Sequence, residues 1–356
     1  MKTIIHITRK LAAFAALTLI GVTASAAPPP PYSGGGKIYF IGPRDGAQGG
    51  GSQWMRAMNS DGTNNTQLGF GLYGNPSLAL HGGERWFLYH QDIPGSQNPD
   101  GTQKFELFAL RGNFDANLNN NSTTRVQLTN DINLQMQAWS PAWVNGDQKI
   151  SFKARRWSDG VPIEGGIYTA SLVFDAQGNI TGLAALPTTP AIPFPLVETN
   201  PGDFWPDFAD YSWSPIGDKV VYTAIGNHDL SIADLVGSPH QRIFTGYALA
   251  PQWSPDGTKI AFTSSGSCIS TIKPNGTQWR VIVSAISNWT AFRPYWSPGS
   301  DFIAFTGQTQ AGSYPNFTFN MDVNRATATG GNRTDLTNLS YPFNEYIHSF
   351  GGGGWR

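Results

Sequence analysis

The sequence predicts an all-β chain, a six-bladed β-propeller of four-stranded antiparallel blades whose ring is closed by the N-terminal strand joining the C-terminal blade. Three observations predict it. One turn-and-strand motif recurs at fixed spacing. No long stretch beyond the N-terminus repeats its apolar residues at the helical period. The two ends of the repeating region carry complementary defects.

The motif is clearest in Trp253-Ser-Pro-Asp-Gly-Thr-Lys-Ile260-Ala-Phe262. Trp213-Ser-Pro-Ile-Gly-Asp-Lys-Val220-Val-Tyr222 and Trp296-Ser-Pro-Gly-Ser-Asp-Phe-Ile303-Ala-Phe305 keep its spacing, and Trp143 to Phe152 is a looser copy. Pro255 suits the second position of a turn, Asp256 bonds nearby backbone, and Gly257 accepts the exit geometry. The strand that follows is short, β-branched or aromatic, and apolar on both faces, so it needs cover on both sides. Blades packed around an axis supply that cover, with Trp143, Trp213, Trp253 and Trp296 as bulky fillers.

Six segments read as this same strand. They begin at Lys37, Trp86, Lys149, Lys219, Lys259 and Phe302. The copy at Trp86 has Leu80 in place of the upstream Trp, and the copy at Lys37 has no upstream motif. Leu336-Thr-Asn opens a repeat that runs to Trp355-Arg356 without a following strand. Each end supplies what the other lacks, which gives six blades and leaves no free sheet edge at the seam.

Ahead of the repeats, residues 1–26 read as a secretion signal. Lys2, Arg9 and Lys10 precede the apolar run Leu11 to Val22, and Ala24-Ser25-Ala26 is a small-residue cleavage site. The run is short for a membrane span. Residues 27–36 form a Pro- and Gly-rich leader, and 37–356 the propeller. The expected location is therefore periplasmic or extracellular, with no membrane span after cleavage.

Composition narrows the partners. The chain carries a net charge of −1, and loss of the three signal cations leaves −4 with no basic run. Nucleic acid binding needs clustered cations, so it is excluded. The single cysteine, Cys268, allows no intrachain disulfide, and its strand-like setting suits a packed thiol. A monomer is expected.

The repeats resemble the TolB-type propeller family, whose unit joins an Asp-Gly-Thr turn, a Leu-Thr pair, the Trp-Ser-Pro-Asp-Gly turn and a Lys-Ile-Ala-Phe strand. Here Asp61-Gly62-Thr63, Leu128-Thr129-Asn130, Asn275-Gly276-Thr277 and Leu336-Thr337-Asn338 supply the corresponding pieces. The resemblance spans 37–356 and implies the fold. It implies a partner-binding surface, without the α/β domain that precedes the propeller in TolB itself. The related prolyl peptidases carry a hydrolase domain with a Gly-x-Ser-x-Gly elbow, which this sequence lacks. Ser254-Pro-Asp256-Gly257 is one residue too short for a sialidase-type Asp box.

Three features remain as candidates for function. The connection 183–210 lengthens one repeat and is Pro-rich, aromatic and acidic. It reads either as a connection folded back over its own blade or as a recognition loop. In the second reading Phe204, Trp205 and Phe208 anchor a partner or stack on a sugar, and Asp203 and Asp207 make polar contacts. His81, His90, His228, His240 and His348 come from different repeats and could meet at the axial channel around a divalent metal, as in the similar oligogalacturonate-lyase propellers, or stand as unrelated loop residues. Asp229 follows His228 and could orient its imidazole. Asp115-Ala-Asn117-Leu-Asn119 has the oxygen alternation of a calcium loop but lacks the required Gly and the closing Glu. No cofactor is expected beyond that channel metal. The leading expectation is a non-catalytic scaffold for an envelope or extracellular protein. The alternative is a carbohydrate-binding or lyase-like propeller with its site at the channel.

Overall fold

The computed structural model describes residues 37–43, 53–67, 77–81, 84–99, 101–112, 125–130, 136–144, 148–200, 203–206, 210–235, 240–313, 316–331 and 333–337. The segments expected as signal and leader, the Asn-rich sequence at 115–124 and the segment 338–356 lie outside them. Every regular element among the described residues is a β-strand. The strands form six antiparallel blades arranged as a propeller. In chain order these are 37–67, 77–127, 136–183, 211–244, 248–283 and 289–335.

The turn motif sets the register. Trp143 lies opposite Ile150, Trp213 opposite Val220, Trp253 opposite Ile260 and Trp296 opposite Ile303. The serine after each of the last three Trp residues organises the turn. Ser254 Oγ donates to Asp256 Oδ1 at 2.6 Å and accepts the Lys259 amide at 2.9 Å. Ser214 and Ser297 do the same, with the carboxylate moved to Asp218 and Asp301, both at 2.6 Å. A carboxylate at either turn position thus orients the same hydroxyl. Blade 2, with Leu80 at the Trp position, has a tighter connection, and Leu80 pairs with Arg85.

Six apolar clusters fill the six junctions between blades. Within Ile260–Ser264 every residue is buried, and neighbouring residues face opposite blades. Ile260 and Phe262 pack against blade 4, whereas Ala261 packs against blade 6. The last cluster closes the circuit. Ile38, Phe40 and Met58 of blade 1 pack with Ala304, Val323 and Leu336. Blade 1 has three strands among the described residues, and the C-terminal segment 338–356, which the closure reading joins to it, lies outside them.

The first strand of each repeat is the innermost. Tyr211–Trp213 approaches Ala248–Trp253, which approaches Trp289–Trp296, as strands must where blades converge on an axis. Indole hydrogen bonds reinforce these contacts. Trp213 Nε1 donates to Ser151 Oγ at 2.7 Å, and Trp296 Nε1 to the Gln252 carbonyl at 3.0 Å.

The blades differ in height. Second strands start directly after the lower turns, so extra length projects from the opposite, upper face. Blades 4 and 5 have second and third strands of five residues each. The matching strands have 14 and 10 residues in blade 2, 10 and 14 in blade 3, and 12 and 12 in blade 6. At ~3.3 Å per residue the tall hairpins rise roughly 15–25 Å above the low ones.

Candidate functional site: a polar collar at the blade junctions

The residue after the second-strand aromatic occupies an equivalent place in each repeat. It is His90, Lys153, Thr223, Thr263 and Thr306 in blades 2 to 6. Each lies one strand out from the axis. Facing it is the inner strand of the next blade, at the position three before the Trp. Those positions are Ser140, Asp210, Ala250 and Arg293. Three of them, Ser140, Ala250 and Arg293, have positive φ of 48°, 48° and 56° and sit where the strand register shifts. Such bulges re-aim backbone groups and place non-Gly residues in a costly conformation.

The bulge turns an amide towards the preceding blade. Arg293 N–H donates to Thr263 Oγ1 at 2.9 Å, and Ser140 N–H donates to His90 Nδ1 at 3.3 Å. At the junction of blades 4 and 5 the Ala250 amide goes instead to Asp210 Oδ2 at 3.1 Å. Thr223 Oγ1, buried and equivalent to Thr263 Oγ1, is consequently left without a hydrogen bond.

Charge is concentrated on one side of this collar. Lys153 is buried, and its ammonium feels the Asp210 carboxylate. Burial drives its pKa down to about 8, and Asp210 offsets part of that shift. Burial, with Lys153 nearby, lowers His90 to about 4. His90 is therefore neutral at physiological pH, and because Nδ1 accepts, its proton resides on Nε2. Tyr211 OH donates to the Ser140 carbonyl at 3.0 Å and lies 3.1 Å from Ser151 Oγ, and burial raises its pKa. The collar thus gathers an ammonium, an imidazole N–H and a carboxylate.

The residues expected from sequence have other settings. His228 is on the upper face, edge-on to Tyr247 at 5.0 Å, with a φ of 56° and a buried Nδ1 that has no hydrogen-bond partner. Asp229 does not reach it. Its carboxylate accepts from Arg242 Nη1 at 3.1 Å and from the Gly246 amide at 2.9 Å. His240 Nδ1 lies 2.8 Å from Tyr222 OH. Among the described residues no group of three His, Cys, Asp or Glu side chains is placed to hold a metal ion. His348 lies outside them. Cys268 opens a strand, and its Sγ accepts the Ala285 amide at 3.3 Å.

The long connection forms its own hairpin. Leu196–Asn200 pairs with Asp203–Pro206, and Ile192–Phe194 adds a strand to blade 3. Gly165 lets this hairpin dock, since a Cβ there would stand 2.6 Å from Leu196 Cδ2 and 2.7 Å from Pro206 Cγ. Asp203, Phe204 and Trp205 belong to its second strand, while Asp207 and Phe208 lie outside the described residues.

The collar carried a sequence signal beyond the turn motif. Ala138-Trp-Ser-Pro-Ala-Trp143, Ala248-Leu-Ala-Pro-Gln-Trp253 and Ala291-Phe-Arg-Pro-Tyr-Trp296 share Ala and Pro at fixed steps before the Trp. The Pro follows each bulged residue.

No family model matches this chain, and no curated protein matches it. It is similar in structure to a TolB candidate from Agrobacterium tumefaciens, at 15% identity and a TM-score of 0.46 over 90% of this chain and 92% of that one. It is similar to an oligogalacturonate lyase in complex with manganese, at 12% identity and a TM-score of 0.41 over 74% and 72% of the two chains. A chain of a nidogen/laminin complex gives 11% identity and a TM-score of 0.40 over 72% and 80%. At this level of likeness the chemistry has to be read from the chain's own geometry.

Proposed function

We propose that this chain is a secreted or periplasmic TolB-like propeller that acts as a non-catalytic scaffold for a protein partner, bound on its upper face. The observation that supports it is the uneven height of the blades. The tall hairpins of blades 3 and 6 form a wall on either side of the low step made by blades 4 and 5, and blade 2 is tall beside blade 3. The wall exposes Val161 and Ile163, the step Tyr247 and Ile286, at 60%, 53%, 42% and 65% of their surface. A concave step lined by exposed apolar side chains suits a folded partner, which buries about 800 Å² on each side in a stable complex.

The test trims the hairpins of blades 2 and 6 to the length of those in blades 4 and 5. Wild-type and trimmed proteins are offered to the host's envelope and secreted fractions. A Trp205→Ala, Phe208→Ala variant probes the connecting hairpin in parallel. The reading expects a discrete protein captured by wild type and lost on trimming, with the thermal transition retained. Capture that is indifferent to trimming, or no capture by wild type, overturns it.

A second reading, a carbohydrate-binding or carbohydrate-active propeller with its site near the axis, is favoured by the charged side of the collar at Lys153 and Asp210.

A further inference from the structure

We infer that the cavity between the outer strand of blade 5 and blade 6 binds a small aromatic acid, its ring held by apolar walls and its carboxylate by the Arg333 guanidinium. Ile282, Val283, Ile286 and Ala326 wall the cavity, and Trp289 and Arg333 flank it. Its volume is about 270 Å³. Pockets for drug-sized ligands hold roughly 300–1,000 Å³, so this one suits a ligand of a single ring. The inference goes beyond the scaffold reading and does not rest on it.

The junction of blades 4 and 5 shows what fills this place elsewhere in the ring. Gly276 and Gly330 mark corresponding turns, with φ of +80° and +84°, and face the carbonyls of Ile243 and Ile282. Counting from these pairs, Phe244 corresponds to Val283 and Trp279 to Arg333. The phenyl ring of Phe244 meets Phe262 at 5.0 Å and Trp279 at 5.8 Å. Val283 has no ring to put there. Three residues separate Phe244 from Ala248, whereas seven separate Val283 from Ala291. From that longer connection Trp289 reaches Phe305, the counterpart of Phe262, at 6.2 Å. Gly307 lets the indole lie against the sheet, since a Cβ there would stand 2.9 Å from Trp289 Cζ2. The cavity remains beside the indole, where the neighbouring junction holds a phenyl group. An apolar cavity of this kind stays open to an apolar ring.

Arg333 sets the charge of the ligand. Its side chain is exposed at the mouth of the cavity, and its guanidinium lies 4.2 Å from the centre of the Trp289 ring. A guanidinium stacked on an aromatic face keeps its N–H fork directed outward in its own plane, where it can grip a carboxylate with two bonds. Among the described residues no carboxylate pairs with Arg333. An acid whose ring enters beside Val283 would bring its carboxylate to that fork.

Phenylacetate carries both the ring and the carboxylate, 2-phenylethanol the ring with a neutral end, and acetate the carboxylate alone. Their binding to the full protein is measured by calorimetry at pH 7. The inference expects phenylacetate to bind at least about fivefold more tightly than 2-phenylethanol, the worth of one charge-assisted pair at a partly exposed site. Acetate should not bind measurably. Val283→Phe installs the ring that Phe244 supplies at the neighbouring junction, so it should keep the thermal transition and lose phenylacetate. Arg333→Gln should retain ring binding and equalise phenylacetate and 2-phenylethanol. Should Val283→Phe not fold, a crystal of the wild-type complex decides, with the ring expected against Val283 and the carboxylate at Arg333. The inference is overturned by a wild type that binds no phenylacetate or does not prefer it to the other two probes. It is equally overturned by binding that survives Val283→Phe in a folded protein, a preference that survives Arg333→Gln, or a ring seated elsewhere.

Discussion

Arg325 Nη1 donates a 2.7 Å hydrogen bond to the carbonyl oxygen of Ser60, joining the last complete blade to the first. The same guanidinium lies 4.9 Å from the centre of the Phe302 ring. The contact crosses the junction between the sixth and the first blade. Arg325→Met keeps much of the side-chain bulk and removes the charged donor. It should lower stability by about 1.5–3 kcal/mol, read as a shift in the denaturant midpoint. A midpoint unchanged from wild type would mean that the seam is held by the apolar cluster alone.

Three glycines test the spacing between blades. Gly62, Gly276 and Gly330 have φ of +89°, +80° and +84°. A Cβ would stand 2.7 Å from the Leu336 carbonyl oxygen, 3.0 Å from that of Ile243 and 3.1 Å from that of Ile282, respectively. Each is the turn glycine of one blade facing the outer strand of the blade before it, and the first of them again spans the seam. Alanine at any of the three should destabilise by about 1–3 kcal/mol. Gly101 has a similar φ of +80° with nothing within 4 Å, so Gly101→Ala should lose less. Thermal melts of the four variants rank them.

Trp253 fills a junction with only 9% of its surface exposed. Trp253→Ala should cost about 3–5 kcal/mol through the cavity it leaves. Ser254→Ala acts on the same turn by removing both the partner of Asp256 and the acceptor for the Lys259 amide, and about 1–3 kcal/mol should follow. Urea unfolding of the two single variants and the double variant should show non-additivity, because the groups share one turn.

The collar makes stability depend on pH. His90 has a folded pKa of about 4 against an ordinary value of 6.5, lowered first by burial and then by the Lys153 charge. The unfolded chain binds the proton more readily, so this contribution is complete above pH 6.5 and is lost as pH falls through 4. The loss is on the order of 3 kcal/mol. His90→Thr should flatten the curve of stability against pH between 6.5 and 4. Asp256 acts at lower pH. Burial raises its pKa, but hydrogen bonds from Ser254 and Thr258 outweigh this and leave it below 3.8. Its contribution is present above that value and lost as pH falls through the folded pKa. Asp256→Asn should remove part of that acid limb without altering the curve above pH 5.

Much of the ring was legible in the chain. The Trp-to-strand spacing at 143, 213, 253 and 296 marked the turn and the strand after it, and each Trp lies opposite that strand's first branched residue, because a turn and the strand after it are fixed by residues close in sequence. Blade 2 shows the limit, since losing the Trp let the register shift to Leu80 opposite Arg85. The connection 183–210 was visible as an irregularity, but its fold was not. Its hairpin depends on docking against Gly165 of another strand, which no local pattern announces.

His228 and Asp229 show why adjacency in sequence misled about the site. In the turn after a strand, neighbouring side chains diverge, and Asp229 goes to Arg242 and Gly246 instead of the imidazole. The collar has the reverse character. Its partners, His90 with Ser140, Lys153 with Asp210 and Thr263 with Arg293, are each a blade apart in the chain.

By itself the sequence determined the repeat, its phase and the number of blades, since turn chemistry and apolar alternation act over a few residues. The tertiary structure alone decided which repeats meet, how high each hairpin stands and which side of the collar is charged. Those depend on packing one blade against the next, where a residue's environment is set by groups far from it in the chain.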